Sequence, residues 1–148
     1  MNNSLEQPLS WVQDFDLYLF DFDGLLVDSE RFHYQAYQKA LATFGEKLSW
    51  DFLTFLGKAH VSSTFLQQAL FQEYPKLFQK LDWNLFYREK KEIYLRLLQK
   101  DVPSLMQGAK ELLTAIFFYG KKAVIVTHSP KEQIIEMQKR LPILKKIA

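Results

Sequence analysis

Leu17-Tyr18-Leu19-Phe20-Asp21-Phe22-Asp23-Gly24 decides how this 148-residue chain reads. The apolar run Leu17 to Phe20 is the signature of a buried strand, expected to extend to Phe22. Gly24 marks a tight turn at its end. Two carboxylates, Asp21 and Asp23, are thereby delivered together at the end of a core strand, where open α/β sheets hold their ligands. An acidic pair in such a place is costly unless a cation or a reaction uses it.

The charge distribution sharpens this. Residues 1–30 hold seven acids (Glu6, Asp14, Asp16, Asp21, Asp23, Asp28 and Glu30) and neither Lys nor Arg, while all 19 basic residues follow. Glu6, Asp14 and Asp16 read as an acidic surface segment; Asp21 and Asp23 read as a site whose negative field attracts a divalent cation. The net charge of +2 is too small to argue for nucleic acid as a partner. At 48% hydrophobic and 24% charged residues the composition is that of a globular domain rather than a disordered chain. No cysteine is present, which excludes disulfides, thiolate metal sites and a cysteine nucleophile. Neither a secretory signal nor an apolar stretch near the roughly 20 residues of a membrane span is visible, so a cytoplasmic location and no membrane are expected.

Outward from the first strand, residues 1–13 read as a loose arm. Ser29 to Phe44 has helical periodicity, with Phe32, Ala36, Tyr37, Ala40, Leu41 and Phe44 on one face and Gly45 at its end. A short helical piece is expected at Trp50–Leu56, ending at Gly57. Ser62 or Ser63 can cap another to about Tyr74, before Pro75. Asp82 can cap a helix from Trp83 to about Gln99, burying Trp83, Phe86, Tyr87, Tyr94, Leu97 and Leu98. Gly108 to Tyr119 is helical and Gly120 ends it. Lys122 to Thr127 carries Ala123-Val124-Ile125-Val126, a run typical of a buried parallel strand. Ser129-Pro130-Lys131-Glu132 has the cap, proline and glutamate of a helix start, with Ser129 as the capping residue and the helix running to about Leu141. Thr127 brings a hydroxyl to the second strand's end. In a parallel sheet it lies on the same edge as Asp21 and Asp23, and the helix behind it aims free amides there, a cradle for phosphate.

That set suits phosphoryl transfer. One carboxylate can attack phosphorus, and its neighbour can protonate the leaving oxygen and later deprotonate water. A hard cation such as Mg²⁺ can bridge carboxylate and phosphate.

Asp21-Phe22-Asp23-Gly24-Leu25-Leu26-Val27-Asp28-Ser29-Glu30 resembles the first signature of the haloacid dehalogenase superfamily, and Val124-Ile125-Val126-Thr127 resembles its second. His33 and Met106-Gln107-Gly108-Ala109-Lys110-Glu111-Leu112-Leu113 also resemble the subfamily that includes phosphoglycolate phosphatase and β-phosphoglucomutase. The resemblance implies an α/β fold: an incomplete Rossmann-like core of parallel strands (14–30 and 101–148) with an inserted all-helical cap (31–100). It implies that Asp21 is the nucleophile and a ligand of Mg²⁺. Asp23 becomes the acid/base and gives the metal its backbone carbonyl, while Thr127 and the amide of His128 bind the transferring phosphoryl group. His33 and Lys58 become candidates for the substrate side of the cap. The second aspartate, absent from dehalogenases, points to phosphate chemistry.

The implied function is a Mg²⁺-dependent phosphohydrolase of a small phosphorylated metabolite. The alternatives are a phosphomutase, a non-catalytic binding or interaction protein and, more remotely, a phosphate-accepting receiver. The family's downstream lysine and acidic pair are expected to be missing. Lys139, Lys145 and Lys146 follow Thr127 but none ends a third strand, and no later acidic pair exists. An incomplete sheet would leave the second strand's edge and apolar helix faces uncovered. A truncated chain of marginal stability, weak metal binding and little turnover is expected, in a dimer or completed by another chain.

Overall fold

The computed structural model describes residues 9–148. The chain divides into two compact units, Glu30–Asp101 and the segments on either side of it, up to Ser29 and Val102–Ala148.

The flanking unit contains a two-stranded parallel sheet. β1 (Leu17–Phe20) pairs with β2 (Lys122–Ile125) in the register Leu17↔Lys122 to Phe20↔Ile125. Both strands are shorter than expected, β1 ending at Phe20 rather than Phe22 and β2 at Ile125 rather than Thr127. The chain leaves the ladder after Phe20, and Val126 makes the last β-type bond by donating its N–H to the Phe20 carbonyl at 2.7 Å. Alternation separates two faces. Phe20 and Ala123 are buried, whereas Leu17, Leu19 and, just past β2, Val126 are exposed. The loose arm expected for 1–13 falls partly outside the described residues. Its described end is ordered: Ser10–Asp14 forms a 3₁₀ turn with Val12 buried, and the Tyr18 hydroxyl donates to the Val12 carbonyl at 2.8 Å. The far edge of β2 is not bare, contrary to expectation. Ile125 donates its N–H to the Ala148 carbonyl at 3.0 Å, and Ala148 donates its own to Ala123 at 3.1 Å.

The central unit is wholly helical. α1 (Glu30–Thr43), α2 (Phe52–Ala59), α3 (Ser63–Glu73), α4 (Pro75–Phe78) and α5 (Trp83–Lys100) follow in order, with α1 packed along α5. Asp51, Ser62 and Asp82 cap α2, α3 and α5 through bonds to the free amides of the first turn. Gly57 does not stop α2, which continues to Ala59; a single glycine costs only about 1 kcal/mol within a helix. α4 was not foreseen, although Pro75 at its first position suits a helix start. The rings of Phe71, Phe78, Trp83 and Phe86 form an interlocking cluster. On α5, Trp83, Tyr87 and Leu97 are only half-buried. Lys90 and Ile93, absent from the expected buried side, are buried.

α6 (Ala109–Phe118) precedes β2 and packs against it; α7 (Lys131–Arg140) follows β2. The structure is therefore α/β, with a short parallel sheet and seven helices among the described residues. None of these helices is long and apolar enough to cross a membrane.

Candidate active site

Both strands run the same way, so the loops after Phe20 and Ile125 leave one edge of the sheet. The first loop is compact. Phe22 is fully buried, and its carbonyl accepts from the amides of Leu26 and Val27 at 3.0 and 3.2 Å. Gly24 takes φ +74°, a left-handed conformation that suits glycine, and donates its N–H to the Val27 carbonyl at 2.9 Å. Leu26 and Val27 are buried and fasten the loop to the segment before α6. Met106 donates to the Leu26 carbonyl and Asp28 to that of Ser104, each at 2.9 Å. The burial of Phe22 between them turns Asp21 outward, where its side chain is exposed, and its Oδ1 accepts the Phe22 amide at 2.8 Å.

Asp23 is held differently. Its two carboxylate oxygens each accept a hydroxyl, Oδ1 from Ser29 and Oδ2 from Ser129. Ser29 is fully buried and Ser129 half-buried. The second loop thus reaches the first through Ser129, two residues past Thr127. Thr127 is half-buried and its Oγ1 accepts the Ser129 amide at 3.0 Å; His128 is exposed. The capping role expected for Ser129 is not observed. α7 starts from Pro130 with no side-chain cap, because the Ser129 hydroxyl is engaged by Asp23. Ser29 was also missed. A serine before a helix has an ordinary local reading, and only the folded loop reveals what it touches.

The other two candidates belong to the helical unit and have partners within it. His33 stacks on Tyr94 with ring centroids 4.1 Å apart, and its Nδ1 lies 2.9 Å from Lys90 Nζ. Lys58 Nζ lies 4.9 Å over the Trp50 ring. His60, at the end of α2, meets the Glu30 carboxylate. Burial pushes the hydroxyl of Tyr37, which lies beneath Lys90 Nζ, well above its ordinary range, with Tyr87 adding to the effect.

For a divalent cation the donor set is small. Among the described residues no group of three or more His, Asp or Glu side chains could hold a metal. Asp21 offers an exposed carboxylate, and Asp23, with both side-chain oxygens engaged, offers its main-chain carbonyl. These are hard oxygen donors of the type Mg²⁺ takes, and they fit two positions of a site whose remainder would be water and phosphate.

A family model described as haloacid dehalogenase-like hydrolase matches residues 18–148. No curated protein matches the sequence. Among solved structures the chain is similar to a predicted phosphoglycolate phosphatase from Haemophilus somnus (20% identity, TM-score 0.72), covering 90% of this chain and 60% of that one. It is also similar to CbbY of Rhodobacter sphaeroides in complex with xylulose-1,5-bisphosphate (16%, TM-score 0.66; 89% and 60% covered). A third is a candidate β-phosphoglucomutase from Thermotoga maritima (21%, TM-score 0.62; 90% and 59% covered). At these identities the likeness is one of fold, and the chain spans about 60% of the length of these structures.

Proposed function

The chain belongs to the haloacid dehalogenase-like hydrolases, and from that membership we propose that it carries the nucleophile and acid/base of a phosphohydrolase acting on a small phosphorylated metabolite. The observation that supports this most directly is the pair of aspartates in the β1 loop. One carboxylate is exposed, and the other is linked by hydrogen bonds to the loop that follows β2.

In this reading Asp21 attacks phosphorus. The bond to the leaving oxygen breaks as an aspartyl-phosphate forms, and Asp23 in its acid form gives that oxygen a proton. Asp23, now a carboxylate, takes a proton from the water that attacks the phosphoryl group, which restores Asp21. The Thr127 hydroxyl and the His128 amide bind the phosphoryl oxygens. Phosphatases of this superfamily generally use a divalent metal. Here Asp21 and the Asp23 carbonyl would hold Mg²⁺, which would supply charge neutralisation between carboxylate and phosphate.

The helical unit Glu30–Asp101 is the cap in this proposal, with His33 and Lys58 as its substrate-side candidates. The bisphosphate in the Rhodobacter structure makes phosphorylated sugars the first class to test. A phosphomutase of the same fold is the second reading, favoured by the likeness to the Thermotoga protein. The exposed sheet face around Leu17, Leu19 and Val126 is the surface through which the chain would pair with a second copy or another chain.

The test is a screen of the chain with Mg²⁺ against phosphorylated sugars, phosphoglycolate, nucleotides and pyrophosphate, with Asp21→Asn as control. Phosphate release that vanishes in the control supports the proposal. Release that survives Asp21→Asn overturns it.

A further inference from the structure

Asp23 is gripped at both ends of its carboxylate, and the two grips come from opposite ends of the chain. Ser29 lies between the β1 loop and α1, fully buried, and donates to Oδ1. Ser129 lies 106 residues from Asp23 in sequence and donates to Oδ2. Neither hydroxyl is placed by chance flexibility. Ser29 lies beside Val27, whose backbone is fixed at both of its polar groups, and its own amide donates to the Val27 carbonyl at 2.9 Å. The Ser129 amide is fixed by the Thr127 hydroxyl at 3.0 Å. The Ser129 hydroxyl is also withdrawn from a competing role, since Ser-Pro-Lys-Glu is a strong capping sequence and α7 nevertheless begins without a side-chain cap.

A carboxylate bonded at one oxygen can still turn about its terminal torsion, which is broad. One bonded at both oxygens by rigidly placed donors holds a single orientation. Proton transfer needs that orientation, because acid and acceptor must come within hydrogen-bond reach in the reacting complex. Resting on the function proposed above, we propose that Ser29 and Ser129 are positioning residues for Asp23: together they set the direction in which its carboxyl group addresses the leaving oxygen. Ser129 also ties that group to the loop of Thr127, so the proton donor and the phosphate-binding hydroxyl move as one.

Two measurements on the full chain test this. The first needs no turnover. Melting temperatures of wild type, Ser129→Ala, Asp23→Ala and the double variant form a cycle. Ser129→Ala is expected to lower the melting temperature in wild type and to leave it nearly unchanged when Asp23 is already alanine. Equal losses in the two backgrounds overturn the clamp. The second uses the chemistry of the leaving group. p-Nitrophenolate departs without a proton, whereas an alkoxide needs one. With Mg²⁺ present, Ser129→Ala is expected to lower kcat/KM for an alkyl phosphate about 10-fold or more and for p-nitrophenyl phosphate less than about twofold. Ser129→Thr, which keeps the hydroxyl, is expected to recover most of the loss. Equal losses on the two substrates, or failure of threonine to rescue, overturn the positioning role. Absence of turnover on both substrates overturns the functional reading instead, and the melting cycle then decides the clamp on its own.

Discussion

Substituting neighbouring residues of β1 separates two kinds of apolar surface. Phe20 is 7% exposed and Leu19 is 63% exposed, although each is a large hydrophobe in the same short strand. Phe20→Ala removes a packed ring, a change that costs about 3–5 kcal/mol. At about 2–4 °C per kcal/mol for a chain near this size, its melting temperature should fall by roughly 6–20 °C. Full burial of a leucine side chain contributes about 1.5–3 kcal/mol. With nearly two-thirds of Leu19 exposed, its share in the folded chain is about 1 kcal/mol or less. Leu19→Lys should therefore lower the melting temperature by no more than about 4 °C. The remainder, about 1–2 kcal/mol, is realised only when something covers the face. In a two-fold pair each residue contributes twice, so the substitution should weaken self-association by about 2–4 kcal/mol, roughly 30- to 1,000-fold in Kd. Sedimentation velocity from micromolar to several hundred micromolar chain reads the association, and circular dichroism melts of dilute samples read the stability. A wild-type chain that stays monomeric throughout that range refutes pairing through this face. A dilute Leu19→Lys sample that loses as much stability as Phe20→Ala refutes the description of the face as uncovered.

Three further outcomes follow from local geometry. Lys90 is 3% exposed and lies within 6 Å of the Tyr37, Tyr87 and Tyr94 rings. Lys90→Ala should cost about 2–4 kcal/mol in urea unfolding by emptying that volume, while Lys90→Met, which keeps the stem and buries no charge, should cost less. Gly24→Ala places a side chain at φ +74° and should cost about 1–2 kcal/mol, with a fall in any Asp23-dependent turnover in the screen above. The backbone and side-chain bonds of Thr54 hold the Asp51 carboxyl below its ordinary value of 3.8. A depressed folded-state value means that the cap's contribution is complete above the unfolded value and disappears as pH falls through the folded one. Protection of the first amides of α2, taken as exchange relative to the intrinsic rate at each pH, should therefore fall below about pH 4 in wild type and show no such fall in Asp51→Ala.

Much of the fold could be read along the chain because local rules act there. An apolar run marked the first strand and a β-branched run the second, and side-chain caps at Ser62 and Asp82 marked two helix starts. Where those rules compete with tertiary contacts, the reading failed. Gly57 looked like a stop, but α2 runs through it. Lys90 had no place on the expected buried side of α5, yet it is buried with its ammonium over rings of α1 and α5. Ser129 had every local mark of a helix cap, and a carboxylate from the other end of the chain took its hydroxyl.

The sequence by itself determined that two carboxylates would follow an apolar strand and that a threonine would follow another, because hydrophobic periodicity and turn chemistry are local. Only the tertiary structure decided which hydroxyls Asp23 would meet and which face of the sheet would stay open. Ser29 meets Asp23 only because the loop between them folds back, and the Ser129 contact and the pairing of β1 with β2 join residues more than a hundred positions apart, which no spacing along the chain encodes.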